Sequence, residues 1–294
     1  MLITIHWPLV LFTVCAALAA GLFATQGFWG MKAITPRTQA LALIVSLFSA
    51  AITAVMGVFA SDGWIELFGG QGNVTTGVDM VVIALAAFFV AGVIYFIALG
   101  KCKGNVPIFA SVLAIVVSVA LLLAVFRFYS LASGTAWDSP LWALVILGNA
   151  AALGAGTFSA LAAAKKETIK NLNDSIVLPA AGFNAVASLL FLGALTMKDG
   201  ARTAETAATA AAPDPELAAQ GDVIAHAILP FDQEVIFITI VILLGAILAL
   251  AAALMAKKND TWFVGSWMVM ALTLLGAFAM NFVIYMVVSS ATLF

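Results

Sequence analysis

Residues 80–126 read MVVIALAAFFVAGVIYFIALG KCKGN VPIFASVLAIVVSVALLLAVF. Two apolar runs of 21 residues, 80–100 and 106–126, flank five residues that hold Lys101 and Lys103. A helix rising 1.5 Å per residue needs about 20 apolar residues to cross a bilayer core of about 30 Å. Each run has that length, and the short basic link between them only turns the chain back. The runs lack the period-2 alternation of an outer-membrane barrel, so they read as helices.

The same pattern continues on both sides of this pair. Towards the N-terminus, runs 8–28 and 39–60 qualify, and towards the C-terminus 140–164, 175–196, 235–256 and 261–288 follow. Composition agrees, because 64% of the 294 residues are hydrophobic, only 9% are charged, and the mean hydropathy is +1.16. A water-soluble domain has no use for so much apolar surface. The expected fold is therefore an all-α integral membrane bundle of eight transmembrane helices, one membrane domain over 1–294 with lipid around it.

Orientation follows from the basic residues, whose translocation is disfavoured. Nine of the twelve Lys and Arg fall in the links after spans one, three, five and seven: Lys32, Arg37, Lys101, Lys103, Lys165, Lys166, Lys170, Lys257 and Lys258. Eleven of the fourteen acids fall on the other side. This predicts basic links on the cytoplasmic side of a cytoplasmic (inner) membrane and both termini outside. The first span has no Lys or Arg before it and is expected to stay as a helix rather than act as a cleaved signal peptide.

The longest link is 197–234, an outer loop whose 201–219 stretch of Ala, Thr, Pro and acids is too poor in large apolar groups to build a core. It reads as a flexible cover or a docking arm. No internal repeat is visible, which counts against a secondary transporter with mirrored halves. No Lys, Arg, Asp, Glu or His lies near a predicted midplane, which argues against an ion pump. Small residues such as Ala17, Ala20, Gly21, Ala150, Gly154 and Gly156 imply close helix packing. Cys15 in the first span and Cys102 in an inner link are too far apart for a disulfide and too few for a metal site. No metal and no nucleic-acid partner is expected.

Polar groups with chemical potential gather at the outer boundary. Asp62, Trp64 and Glu66 follow span two, Asp79 opens span three, Arg127 and Tyr129 close span four, and Trp137 with Asp138 precedes span five. Oxidising a hydroquinone needs acceptors for two protons, donors that hold the head group, and an apolar slot for its tail. Carboxylates beside Arg127, Tyr129 and Trp64 meet that need in kind. Each residue also has a structural reading. Arg127 stands at a helix C-terminus, where a cation gains typically about 0.3–1 kcal/mol, and Asp79 at a helix start has the mirror-image explanation. Tyr129, Trp64 and Trp137 stand where an interfacial aromatic belt belongs, and Asp62 and Glu66 are also ordinary loop acids. Only His6 and His226 are present, one before span one and one in the long loop, so no pair is placed to clamp a haem.

The segment from His6 through Trp7, Pro8, Leu9, Val10, Leu11 and Phe12 to Thr13 resembles the start of the membrane anchor subunit of dimethyl sulfoxide reductase (DmsC-type). Ala60-Ser61, Arg127-Phe128-Tyr129 and the stretch from Trp137 to Trp142 fall where that family has similar features, within the same eight-span topology. The resemblance implies a haem-free subunit that oxidises menaquinol and passes electrons to an iron–sulfur subunit, with a molybdopterin catalytic subunit beside it on the outer face. It implies quinol binding by Arg127 and Tyr129, with Trp64 where a histidine is expected and Asn281, followed by Tyr285, where an arginine is expected. Asp79 is then the candidate proton acceptor and Asp62 and Glu66 the alternatives. Polysulfide-reductase-type anchors, working in either direction, are a close alternative. A small-solute carrier and a purely structural tether are the readings from other classes.

Overall fold

A computed structural model describes residues 7–31, 35–68, 74–102, 106–130, 139–167, 170–210 and 233–291. Among these residues the chain is all-α. The helices are α1 (Trp7–Gly30), α2 (Pro36–Phe68), α3 (Val74–Lys101), α4 (Ile108–Ser130), α5 (Pro140–Ala164), α6 (Lys170–Ala210), α7 (Gln233–Asn259) and α8 (Trp262–Ala291). All eight are long and apolar enough to cross a membrane. The protein is a multi-pass integral membrane protein.

Two helices run past their expected ends. α2 continues to Phe68, although its apolar span stops at Phe59. α6 continues to Ala210, although its span stops at Ala194, so 197–210 is helical where a loop was expected. Alanine has the highest helix propensity, and Ala-rich sequence beyond a span extends the helix it is attached to. Poverty in large apolar groups excludes a core but not a helix. The remainder of the expected loop, 211–232, lies outside the described residues.

Neighbouring helices alternate in direction. Gln26 of α1 reaches Gln39 of α2 while Ser46 of α2 reaches Ala19, so these two are antiparallel. Thr13 with Tyr129 and Gly27 with Ser111 set α4 antiparallel to α1. Ser159 with Asn173 and Gly148 with Asn184 do the same for α5 and α6. Alternation brings Arg37, Lys101, Lys165, Lys166, Lys257 and Lys258 to one end of the bundle, called here the basic end.

Two four-helix units emerge from the pairing. In the first, α1 packs on α2 and α4, and α3 closes the ring against both. In the second, α5 packs on α6 and α8, and α7 closes the ring. α1 meets α5 between them, flanked by α1 with α8 and α4 with α5. The same order in both halves is an internal repeat of helix pairing, where the sequence had suggested none. It left no sequence signature because short links and small interface residues specify it, and many residue combinations satisfy those.

α1 and α5 are the centre. Their spans are 72% and 78% buried, against 33–44% for the other six, which present apolar side chains outward to lipid. They run parallel, because Gly21 meets Ala150 and Gly154 near their middles while Trp29 stacks on Phe158 near their basic ends, rings 5.0 Å apart. A methyl group at Gly21 would run into the Ala150 carbonyl, and one at Gly154 into the backbone of Gly21. In lipid, packing rather than water exclusion holds helices together, so this backbone approach carries the junction.

At the basic end, polar contacts fasten the first unit. Gln26 Nε2 donates to the Gln39 carbonyl at 2.7 Å, and the Tyr95 hydroxyl donates to the Gln26 carbonyl at 3.1 Å through space left by Gly30. Lys166, at φ 57°, closes α5 in the left-handed conformation and turns Glu167 towards α2. Glu167 then accepts from the Thr38 backbone N–H at 3.3 Å and from the Thr38 hydroxyl, capping the first turn of α2 from across the interface.

Overpacking a close contact costs typically about 1–3 kcal/mol. Gly21→Val and Gly154→Val are each expected to destabilise the protein by at least that much. Gly100→Ala, where an added Cβ meets nothing, is expected to be neutral or slightly stabilising. Denaturant titration of the purified protein in mild detergent checks all three.

Candidate functional site

α4 ends in Arg127-Phe128-Tyr129-Ser130, at the end of the bundle opposite the basic one. Residues two apart on a helix point about 200° apart. Arg127 and Tyr129 accordingly face different surroundings. Arg127 is exposed, and its Nη1 donates to the Ser130 hydroxyl at 3.2 Å, in the last helical turn where a cation suits the unpaired carbonyls. Tyr129 is fully buried between the two four-helix units.

The Tyr129 hydroxyl lies 2.6 Å from the Thr13 hydroxyl and donates to the Leu9 carbonyl at 3.2 Å. Thr13 in turn donates to that same carbonyl at 3.0 Å. Three oxygens from α1 and α4 thus share two protons in an apolar setting. Around them stand aromatic rings: Phe12 at 6.5 Å, Phe128 at 5.4 Å and, edge-on at 86°, Trp142 at 6.2 Å from the Tyr129 ring. Phe191 of α6 packs 5.5 Å from the far side of Trp142.

Like Trp29 at the other end of the bundle, Trp142 carries an unmet donor. It is fully buried in the first turn of α5, and its indole Nε1 has no hydrogen-bond partner. An unmet buried donor costs roughly 1–3 kcal/mol. α5 begins here because Ser139 caps it, accepting from the Leu141 N–H at 3.3 Å, and Pro140 stands at N1. That start fixes Trp142 opposite Tyr129. The arrangement sets a hydroxyl pair and an unused N–H among packed aromatic rings at one end of the bundle.

Asp79 is exposed on α3, five residues past its start at Val74, so it does not cap that helix. Asp62, Trp64 and Glu66 lie on the part of α2 beyond its apolar span, and their side chains fall outside the described residues. Trp137, Asp138, His6 and His226 are also outside them, as is the side chain of Tyr285. Asn281 is buried, and its Nδ2 donates to the Ala277 carbonyl at 2.8 Å. Cys15 and Cys102 are free thiols.

Thr13 and Trp142 were not singled out by sequence reasoning. Only the tertiary pairing brings them to Tyr129. Hydrogen bonds between membrane helices are worth on average about 0.6 kcal/mol and up to about 1.7. Thr13→Val and Tyr129→Phe are each expected to cost about that much, and the double variant less than their sum, because both remove the same bond. A double-mutant cycle by denaturant titration measures the coupling.

Comparison with family models, with curated proteins and with solved structures finds no match to this chain.

Proposed function

We propose that the protein is the membrane anchor subunit of a molybdopterin oxidoreductase complex of the dimethyl sulfoxide reductase type, and that it oxidises menaquinol near the outer membrane face. The observation that carries this reading is the unpartnered indole N–H of Trp142, whose ring packs edge-on against Tyr129 of the Thr13–Tyr129 hydroxyl pair at one end of the bundle. A quinol head group has oxygens for those donors and a flat ring for those aromatic neighbours, and its isoprenoid tail belongs in the lipid outside the helices.

In this account the head group lies against Tyr129, Trp142 and Phe12. One oxygen accepts from Trp142 Nε1 and the other exchanges hydrogen bonds with Tyr129. Menaquinol loses two electrons and two protons and becomes menaquinone. The electrons pass to an iron–sulfur subunit docked over the same face, and the molybdopterin subunit takes them onward. The protons leave through an acidic acceptor, with Asp79 first and Asp62 or Glu66 in its place. Arg127 stands exposed at that level, where it guides an electron-rich head group or the partner. An anchor of the polysulfide-reductase type runs the same parts in either direction. The small-solute carrier is the second reading, and the repeated pairing of the two four-helix units supports it.

Purification of the tagged protein from its native membrane in mild detergent, followed by subunit identification and addition of a menaquinol analogue, tests the proposal. Iron–sulfur and molybdenum subunits are expected to co-purify, and the clusters to be reduced by the analogue. Trp142→Phe keeps the aromatic packing and removes only the N–H. It is expected to slow reduction by roughly tenfold, about 1.4 kcal/mol, without loss of stability. Arg127→Ala is expected to slow it with the complex intact. A protein recovered alone, with no iron and no quinol response, would sink the proposal and favour the carrier.

A further inference from the structure

The interior of the second four-helix unit carries polar groups at intervals along α5, and two have no partner. At the basic end, the Ser159 hydroxyl donates to Asn173 Oδ1 at 2.8 Å and lies 2.6 Å from the Ser266 hydroxyl, joining α5, α6 and α8. Deeper in the membrane, the Thr273 hydroxyl and Asn184 Oδ1 are buried and unpartnered.

Their heights follow from helix contacts. Gly156 faces Met270, which places Thr273, one turn further along α8, on the far side of Gly156 from the basic end. Asn184 lies against Gly148. From Ser159 to Gly148 is eleven residues of α5, about 16 Å of rise, with a polar group every 8 Å or so. Such gaps are the size that one or two water molecules bridge.

Hydroxyls inside membrane helices have a local way to satisfy themselves, a bond to the carbonyl four residues earlier. Thr13, Thr25, Thr53 and Ser118 of the first unit and Ser266 of the second take it. Thr273 does not, nor does Ser111 near the basic end of α4, and both are buried without a bond. Leaving such groups unmet in hydrocarbon is costly. Buried polar groups that protein does not satisfy are met by ordered water.

We propose that the second four-helix unit encloses a column of internal water that enters at the basic end beside Ser159, Asn173 and Ser266 and reaches Asn184 at the level of Gly148. This inference does not rest on the quinol reading. The column is a path for water and protons through more than half of the bundle, along the same helix whose opposite end carries Trp142. From Gly148 to Trp142 only six residues, about 9 Å, remain.

Silver ion, a thiol-reactive probe close to water in size, tests the column. Thr273→Cys and Asn184→Cys are prepared with Cys15 and Cys102 replaced by alanine, and Ser118→Cys, at comparable depth in the first unit, serves as control. Silver is added to one side of reconstituted vesicles, and each thiol's protection from alkylation after denaturation is read by mass spectrometry. Both second-unit thiols are expected to react at least tenfold faster than the control, and only from the basic end. Equal rates at all three positions, or reaction from the opposite end alone, would overturn the proposal. Radiolytic hydroxyl-radical labelling of the unmodified protein, which oxidises side chains beside bound water, keeps the test open if a variant fails to fold. Met270 is then expected to be oxidised while Phe23 and Phe88 of the first unit are not, and an unlabelled Met270 would contradict the column.

Discussion

The backbone approach of α1 and α5 at Gly21, Ala150 and Gly154 is the constraint on which the rest of this protein depends. Lipid tails are as apolar as leucine, so helices in a bilayer associate through close packing rather than through water exclusion. A side chain larger than hydrogen at Gly21 or Gly154 would push the two most buried helices apart. Each of these helices is the hub of a four-helix unit. Their contact therefore joins the halves and sets the register of everything between them. At one end that register stacks Trp29 on Phe158, and at the other it sets the Trp142 ring edge-on to Tyr129.

The candidate site is a consequence of this junction. Thr13 and Leu9 belong to α1, Tyr129 to α4, Trp142 to α5 and Phe191 to α6, so neither unit owns it alone. Tyr129 is both a structural and a chemical group here: its hydroxyl ties α4 to α1, and a ligand against its ring would meet the same oxygen. Trp142 differs, since its N–H serves no structural bond. An unmet donor in a packed aromatic setting stabilises nothing in the protein itself, and Trp29, packed against Phe158 at the basic end, shares that property.

Much of the architecture was legible in the sequence, for physical reasons. Bilayer thickness fixes span length, so runs such as 106–126 found α4 to within a few residues. What the sequence did not disclose depended on neighbours or on helix propensity outside the membrane. Ala-rich 201–210 was expected to be loop and is the end of α6, because a low-complexity segment attached to a stable helix continues it. The Arg127 and Tyr129 pair looked like one element, but the helix turn separates an exposed cation from a buried phenol. Thr13 and Trp142 are 129 residues apart, and only the α1–α5 junction makes them neighbours of Tyr129. The repeat of helix pairing was hidden because small residues and short links specify it without a shared motif.

Photoaffinity labelling asks directly whether a quinol head group is held against Tyr129 and Trp142. An azido-quinone carried into native membranes and activated by light reports the peptide it touches. The account predicts labelling of the end of α4 and the start of α5, displaced by excess menaquinone analogue and weakened in Trp142→Phe. Labelling confined to the basic end, or labelling that excess analogue does not displace, would contradict it.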